Sequence, residues 1–304
     1  MDRRRFIRQV LRYCAGLSLV TPLWRIEEAT ASLNVPDIAR VIGSDYSVLV
    51  EETIKLLGGI GRYVKAGDSV VVKPNIGWDR KPEQAANSHP LVVKTLVKLA
   101  LEADAKEVRV FDYTCNEKRR CYNNSGMTEA IKSLDDRRAK LLHIDKRKFV
   151  PVKITKGRSL TEWDIYKDAL TADCYINVPV AKHHGLSSLT LGLKNSMGVI
   201  GGNRGRLHHD LGQNLADLAT VIKPTLTVID ATRILLNNGP QGGSLKDVKI
   251  MDTLLASTDP VAADALATTL FGLKPEDIAS TVAAFQMGLG QMQPDKMNIL
   301  ERTL

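Results

Sequence analysis

The chain has 304 residues, 44% hydrophobic and 25% charged, with 42 Lys+Arg against 34 Asp+Glu for a net charge of +8. These values exclude a disordered chain, a collagen-like repeat and a disulfide-dense miniprotein, and they suit one large α/β domain or two smaller ones. Residues 1–31 hold Arg3, Arg4, Arg5, Arg8, Arg12 and Arg25 against Asp2, Glu27 and Glu28, so the remainder is only mildly basic and nucleic acid is not an expected partner.

Asp2-Arg3-Arg4-Arg5-Phe6-Ile7-Arg8 resembles the twin-arginine export signal of bacteria. The apolar stretch from Val10 to Trp24 is interrupted by Arg12 and Pro22, which makes it too short and too polar for a stable membrane span. Ala29-Thr30-Ala31 then offers a small-x-small cleavage site. Residues 1–31 are therefore expected to be a twin-arginine-type signal peptide, with a mature chain from about Ser32 and a periplasmic or otherwise exported location. The export machinery would be its transient partner. The alternative is an amphipathic N-terminal helix docked on the domain. A route for proteins that fold before crossing favours a bound metal or cofactor without identifying one, and predicts an oxidising destination.

From there the chain alternates short β-rich runs with amphipathic segments. Ser47–Leu57 reads as a helix, and Ser69-Val70-Val71-Val72 as a strand stopped by Lys73-Pro74-Asn75. His89-Pro90 opens a helix through Ala103, and Val108–Asp112 is the next strand. Further strands are expected at 140–144, 174–178, 226–230 and 253–257. Helices are expected at 127–134, 212–222 and 260–271, the last capped by Asp259, with a final helix from Pro275 to about Ala284. The run from Val152 to Asp168 suits a hairpin or small insertion. The expected fold is α/β: a mostly parallel sheet with helices on both faces, in a single domain over 32–304 that could carry two lobes.

Beyond Cys14 in the leader, the chain keeps Cys115, Cys121 and Cys174. Cys115 and Cys121 flank a charged stretch and leave a disulfide open, whereas Cys174 reads as a small core residue. No Cys-x-x-Cys occurs, so an iron–sulfur cluster is not expected.

In open α/β sheets, ligands lie beyond the carboxyl ends of strands. Those ends deliver Lys73 and Asn75, Asp112, Lys182-His183-His184, and Asp230. Between Asp173 and Asp210 there is no acidic residue, yet Lys182, Lys194, Arg204 and Arg206 fall there with four of the six histidines. Glycines at 198, 201, 202 and 205 would let backbone amides approach a ligand. The segment thus reads as a flexible loop cradling an anion, with imidazoles available for proton transfer; a solvated basic loop is the plainer alternative. The histidine pairs also admit a divalent metal, with one histidine from each pair plus Asp210 or Asp230, such as His183, His208 and Asp230. The glycine-rich turn Asn238–Gly243 sits in a 231–249 loop long enough to be functional. His89 reads as either a cleft residue or a helix-entry residue, and Asp264 could face either way.

Lys73-Pro74-Asn75 after a strand, Asn177-x-Pro-x-x-Lys182-x-His184, Lys194-Asn195-x-x-Gly198, a histidine near 208, Asp230, Gly239-Pro240 and Asp259-Pro260-x-Ala-x-Asp264 resemble, in their order, the domain of unknown function 362 (DUF362) family over about residues 70–272. The resemblance supports the fold and the site. The family has no settled activity, and the ferredoxin-like cysteine segment of some members is missing here. Taken together, an exported enzyme acting on a small anionic carboxylate or phosphate ligand is expected. Lys73, Lys182 and Lys194 would neutralise the anion and Asn75 and Asn195 orient it. His184 with His208 or His209 would exchange protons, and Asp230 would orient them or bind metal. The alternative is a non-catalytic protein holding a cofactor or partner for an exported redox enzyme.

Overall fold

The computed structural model describes residues 37–304; the expected leader and Cys14 lie outside them. The strands are β1 (Ile38–Ile42), β2 (Ser69–Pro74), β3 (Glu107–Val110), β4 (Ala139–Leu141), β5 (Phe149–Lys153), β6 (Glu162–Tyr166), β7 (Cys174–Val178), β8 (Val180–His184), β9 (Ser188–Thr190), β10 (Leu226–Leu235), β11 (Val248–Ser257) and β12 (Ile299–Thr303). The main sheet runs β12-β1-β11-β10-β7-β2-β3-β4. From β4 to β10 every neighbouring pair is parallel. β11 is antiparallel to both β10 and β1, and β12 is parallel to β1. β8 extends alongside β10, and β9 folds back on β8. The fold is α/β with a mostly parallel sheet, as the strand–helix alternation implies.

Side chains on a strand alternate between faces, and the valine run of β2 shows how the two cores are filled. Val70 and Val72 pack with Leu49, Ile54, Val92 and Leu96 of the helices Tyr46–Leu56 and Pro90–Glu102. Val71 packs on the opposite face with Tyr175 and with Leu211, Leu215 and Leu218, which begin and line the helix Leu211–Ala219. Farther along that second face, Ile229 and Leu255 meet the helix Pro260–Thr268. Helix starts follow their capping residues. Asp45 accepts the Ser47 and Val48 amides, His89 Nδ1 accepts the Leu91 amide before Pro90, and Asp259 accepts the Val261 and Ala262 amides. Among the described residues no helix is long and apolar enough to cross a membrane.

Two segments depart from expectation. The expected 231–249 loop is shortened at both ends to 236–247, because β10 runs on to Leu235 and β11 begins at Val248. A register shift between Ala231 and Arg233 breaks the alternation there, so a period-two reading ends at Asp230 although Ile234 and Leu235 are buried. Nor is the 182–209 segment a flexible loop: it holds most of β8, all of β9, the helix Gly192–Asn195 and the tight turns Ser196–Val199 and Arg204–Asp210. The 152–168 region is in large part the antiparallel β5–β6 hairpin.

The β5–β6 connection is anchored by Asp217, which accepts the amides of Arg158 (2.9 Å), Ser159 (2.6 Å) and Leu160 (2.7 Å), with Gln213 Nε2 at 2.8 Å. Burial alone would raise its carboxyl, but the amides of Arg158, Leu160 and Ser159 and the Gln213 side chain bring it below the usual aspartate range. Asp217→Ala should therefore cost roughly 2–4 kcal/mol in urea unfolding at neutral pH. The wild-type advantage is present above the unfolded aspartate pKa and should shrink as pH falls through the lowered folded one.

Candidate functional site

The β2–β7 register places Lys73 opposite Asn177. Each lies two residues beyond a core residue of the second face, Val71 and Tyr175, so both side chains share that face. On β8 the same period puts Lys182 and His184 on one side and His183 on the other. The chain then reverses through β9 into the helix Gly192–Asn195, which brings Lys194 and Asn195 back over the strand ends. Buried Asp264 seats that helix by accepting the Gly192 amide at 2.6 Å and the Leu193 amide at 2.9 Å. Burial pushes its carboxyl up to about 7. Gly192 has to be glycine, since a Cβ would stand 2.8 Å from Asp264 Oδ1.

The result is a cleft of about 420 Å³ lined by Lys73, Asn75, Lys182, His184, Lys194, Asn195, Arg204 and His208, with Trp78, Tyr113, Met197 and Pro240 as less polar walls. Lys73 Nζ donates to the Asn195 carbonyl (2.6 Å) and to Asn195 Oδ1 (2.8 Å), and lies 2.9 Å from Asp112 Oδ1. Asn195 Nδ2 donates to Asn177 Oδ1 at 2.8 Å, and Asn75 Nδ2 to Asn195 Oδ1 at 3.1 Å. Lys182 Nζ donates to Asn75 Oδ1 at 3.1 Å and to the Ala86 carbonyl. Burial lowers all three lysines: Lys182 to about 7, Lys194 to about 8, and Lys73 with Asp112 opposing the shift.

The two cleft imidazoles are wired oppositely. His184 Nδ1 accepts the amides of Leu186 (3.1 Å) and Ser187 (3.3 Å). That assigns its proton to Nε2, and burial followed by the charges of Lys194 and Lys182 keeps the ring neutral, down to about 3. His208 Nδ1 lies 3.0 Å from the Gly205 carbonyl, which assigns a proton to Nδ1, so that Nε2 is the acceptor position of the neutral ring. The rings stack with centroids 6.5 Å apart. Arg204 lies 4.0 Å over the Tyr113 ring and donates to the Tyr113 carbonyl at 3.0 Å.

Several expected site residues are elsewhere. Asp230 shares the parity of Leu226 and Val228, so it points to the first face, where it accepts the His89 amide and the Thr232 amide and hydroxyl. His89 caps its helix there and stays out of the cleft. His183 points away and accepts the Gly239 amide at 3.1 Å, while His209 and Asp210 are exposed. The metal set His183, His208 and Asp230 is thus not assembled, and among the described residues no group of three or more His, Cys, Asp or Glu is placed to hold a metal. Lys73 does not face an anion with free donors, because Asp112 and Asn195 take all three. Gly198 and Gly201 are required by packing. A Cβ on Gly198 would lie 1.8 Å from Asp112 Oδ1, and one on Gly201 2.9 Å from the Phe149 ring. Cys115 and Cys121 are both free, Cys121 being buried near the Gly77 carbonyl and Cys115 exposed at the cleft; Cys174 is in the core.

Arg204, Tyr113, Trp78 and Cys115 were not expected in the site. Arg204 lay within the basic segment, but nothing local marked it as the residue that would stack on Tyr113. Asp112 was recognisable as a strand-end carboxylate, though not as the partner of Lys73. A larger open depression of about 900 Å³ beside β4, lined by Arg119, Arg137 and His143, contains none of the expected site residues.

The profile of the family described as "Domain of unknown function (DUF362)" matches residues 70–269, and the chain belongs to this family. It is 29% identical over 248 residues to a thylakoid-associated protein of Synechocystis sp. (strain ATCC 27184 / PCC 6803 / Kazusa), covering 77% of this chain and 72% of that one. Among solved structures it is similar to the lactate racemase apoprotein from Thermoanaerobacterium thermosaccharolyticum, at TM-score 0.44 and 10% identity, over 73% of this chain and 54% of that one. A protein from Thermotoga maritima gives TM-score 0.44 and 12% identity, over 74% and 59%. The chain spans a little over half the length of those two proteins.

The Lys73–Asp112 pair sets a test of the site. Asp112→Asn leaves an ammonium buried without a counter-charge and should cost about 3–5 kcal/mol in urea unfolding near pH 7. The loss should diminish as pH rises through the lowered Lys73 pKa, where the buried ammonium can shed its proton, and Lys73→Met in the same chain should restore much of it.

Proposed function

We propose that this member of the family is an exported α/β enzyme acting on a small organic anion, a carboxylate or phosphate, held in the cleft between β2, β8 and the 192–208 segment. One observation carries the reading. Among the described residues, Lys194 and Arg204 line the cleft without a carboxylate in ion-pair range, while its one lining carboxylate, Asp112, is taken by Lys73. Uncompensated cations in a largely buried cleft are costly, and an anionic ligand offsets that cost.

Within this reading Lys194 holds the anion together with the charge of Arg204, whose guanidinium is kept in place by the Tyr113 ring and by the Tyr113, Met197 and Thr114 carbonyls. His184 is a fixed Nε2–H donor. Its Nδ1 faces two amides, so it is suited to stabilising negative charge on a substrate oxygen and not to accepting a proton there. His208, whose Nδ1 faces the Gly205 carbonyl, offers Nε2 as the proton acceptor. Residues 1–31 are the proposed export leader, which N-terminal sequencing of the exported protein would locate by a new terminus near Ser32.

Sulfate, whose charge stays constant across the range, is a suitable probe for calorimetry. Affinity should be highest below the Lys194 pKa of about 8 and should fall by up to about tenfold per pH unit above it, with proton uptake on binding. Lys194→Met should weaken binding by about tenfold or more at pH ~7 and remove most of that pH dependence. Sulfate binding that is unchanged in Lys194→Met would sink the anion cleft.

A further inference from the structure

We infer that Lys182 is a carbonyl-capturing nucleophile whose Nζ forms an imine with the aldehyde or ketone group of an oxo-acid anion bound in the cleft. The inference rests on the anion reading above and adds to it the reacting bond and the substrate class.

The cleft lysines differ in what surrounds Nζ. An ammonium has three hydrogens to place, and Lys73 has three acceptors for them, one a carboxylate. Lys182 has two acceptors, the Asn75 side-chain oxygen and the Ala86 carbonyl, both uncharged. In its neutral form the amine has two hydrogens for these two acceptors, and its lone pair takes the remaining direction. Among the described residues Lys194 has only the Met197 sulfur within reach, which leaves its head free for the ligand's charged end. Lys182 is 1% exposed yet contributes to the lining of the cleft. Asn75 holds its head and is itself held by Asn195, so the amine is fixed in advance of any substrate.

The step balances without a redox partner. The lone pair of Nζ attacks the carbonyl carbon as the C=O π bond opens, giving a carbinolamine. His184 Nε2–H is the donor to the oxygen and His208 Nε2 the acceptor for a nitrogen proton. Loss of water removes the oxygen with the two hydrogens that Nζ gave up, leaving C=N. On protonation the iminium keeps one N–H for Ala86 or Asn75. The carboxylate of an oxo acid lies one bond from the reacting carbon, which matches a cation pair, Lys194 and Arg204, lining the same small cleft.

The test is reductive trapping of the full chain with glyoxylate and sodium cyanoborohydride, read by peptide mapping. A single carboxymethyl group on Lys182, at a glyoxylate level that leaves surface lysines untouched, is the expected result. Asn75→Asp places a carboxylate beside Nζ, holds it as ammonium and should cut labelling by about tenfold or more. Lys182→Arg should abolish the adduct. Surface lysines modified while Lys182 stays free would overturn the inference. Sulfate calorimetry separates the two levels: sulfate bound with Lys182 unlabelled removes the nucleophile and keeps the anion cleft, whereas neither signal removes both.

Discussion

The buried ammonium of Lys73 is the constraint around which the cleft is arranged. A charge at the end of β2, on a face otherwise given to Val71 and Tyr175, is tolerable only if every hydrogen finds an acceptor and one acceptor is charged. That requirement draws in Asp112 from the segment after β3 and Asn195 from the helix Gly192–Asn195, and it forbids a side chain at Gly198. Asp112 is committed further by the Ile76 amide at 2.6 Å and the Tyr113 amide at 3.0 Å. Three segments far apart in sequence are thereby locked to one point, and the other site residues take their places from them.

The same saturation explains why the remaining cations stay unpaired. Asp112 is consumed, no acidic residue occurs between Asp173 and Asp210, and Asp264 is turned inward to the Gly192 and Leu193 amides. Lys182 and Lys194 therefore face burial without an opposing carboxylate in ion-pair range, which is the physical origin of their lowered pKa values. Two consequences coexist in one cavity: Arg204 and Lys194 attract negative charge, and Lys182 gains access to its uncharged form.

How much of this was readable in the sequence depended on whether a local period survived. β2, β7 and the helix starts at His89-Pro90 and Asp259 follow from short apolar runs, Pro90 and a short polar cap, and they sit within a residue or two of expectation. Lys73, Asn75, Lys182, His184, Lys194, Asn195 and His208 do meet, since strand ends and a basic, histidine-rich return segment converge at the carboxyl edge of a parallel sheet. Asp230 failed on parity alone. It ends the right stretch of β10 but follows Leu226 and Val228 onto the other face. The bulge after it also hid the rest of the strand. Arg204 and Tyr113 were not readable, because their stacking joins segments about ninety residues apart and has no local signature.

The histidine doublets show why residue type alone underdetermined the chemistry. His183 and His184 are adjacent on β8, and the strand period sends one to the Gly239 amide and the other into the cleft. In the second doublet His209 is left in solvent, while His208 reaches the cleft. What remains is one imidazole from each pair, stacked, with opposite tautomers set by backbone groups: amides facing Nδ1 of His184, a carbonyl facing Nδ1 of His208. A donor and an acceptor fixed in this way need no proton rearrangement before they act, which is the preorganisation that electrostatic catalysis relies on. The pair cannot exchange roles unless the 184–187 turn opens. The direction of proton flow through the cleft is therefore set by the fold of the β8–β9 reversal, and a change in that turn would alter chemistry without touching any charged residue.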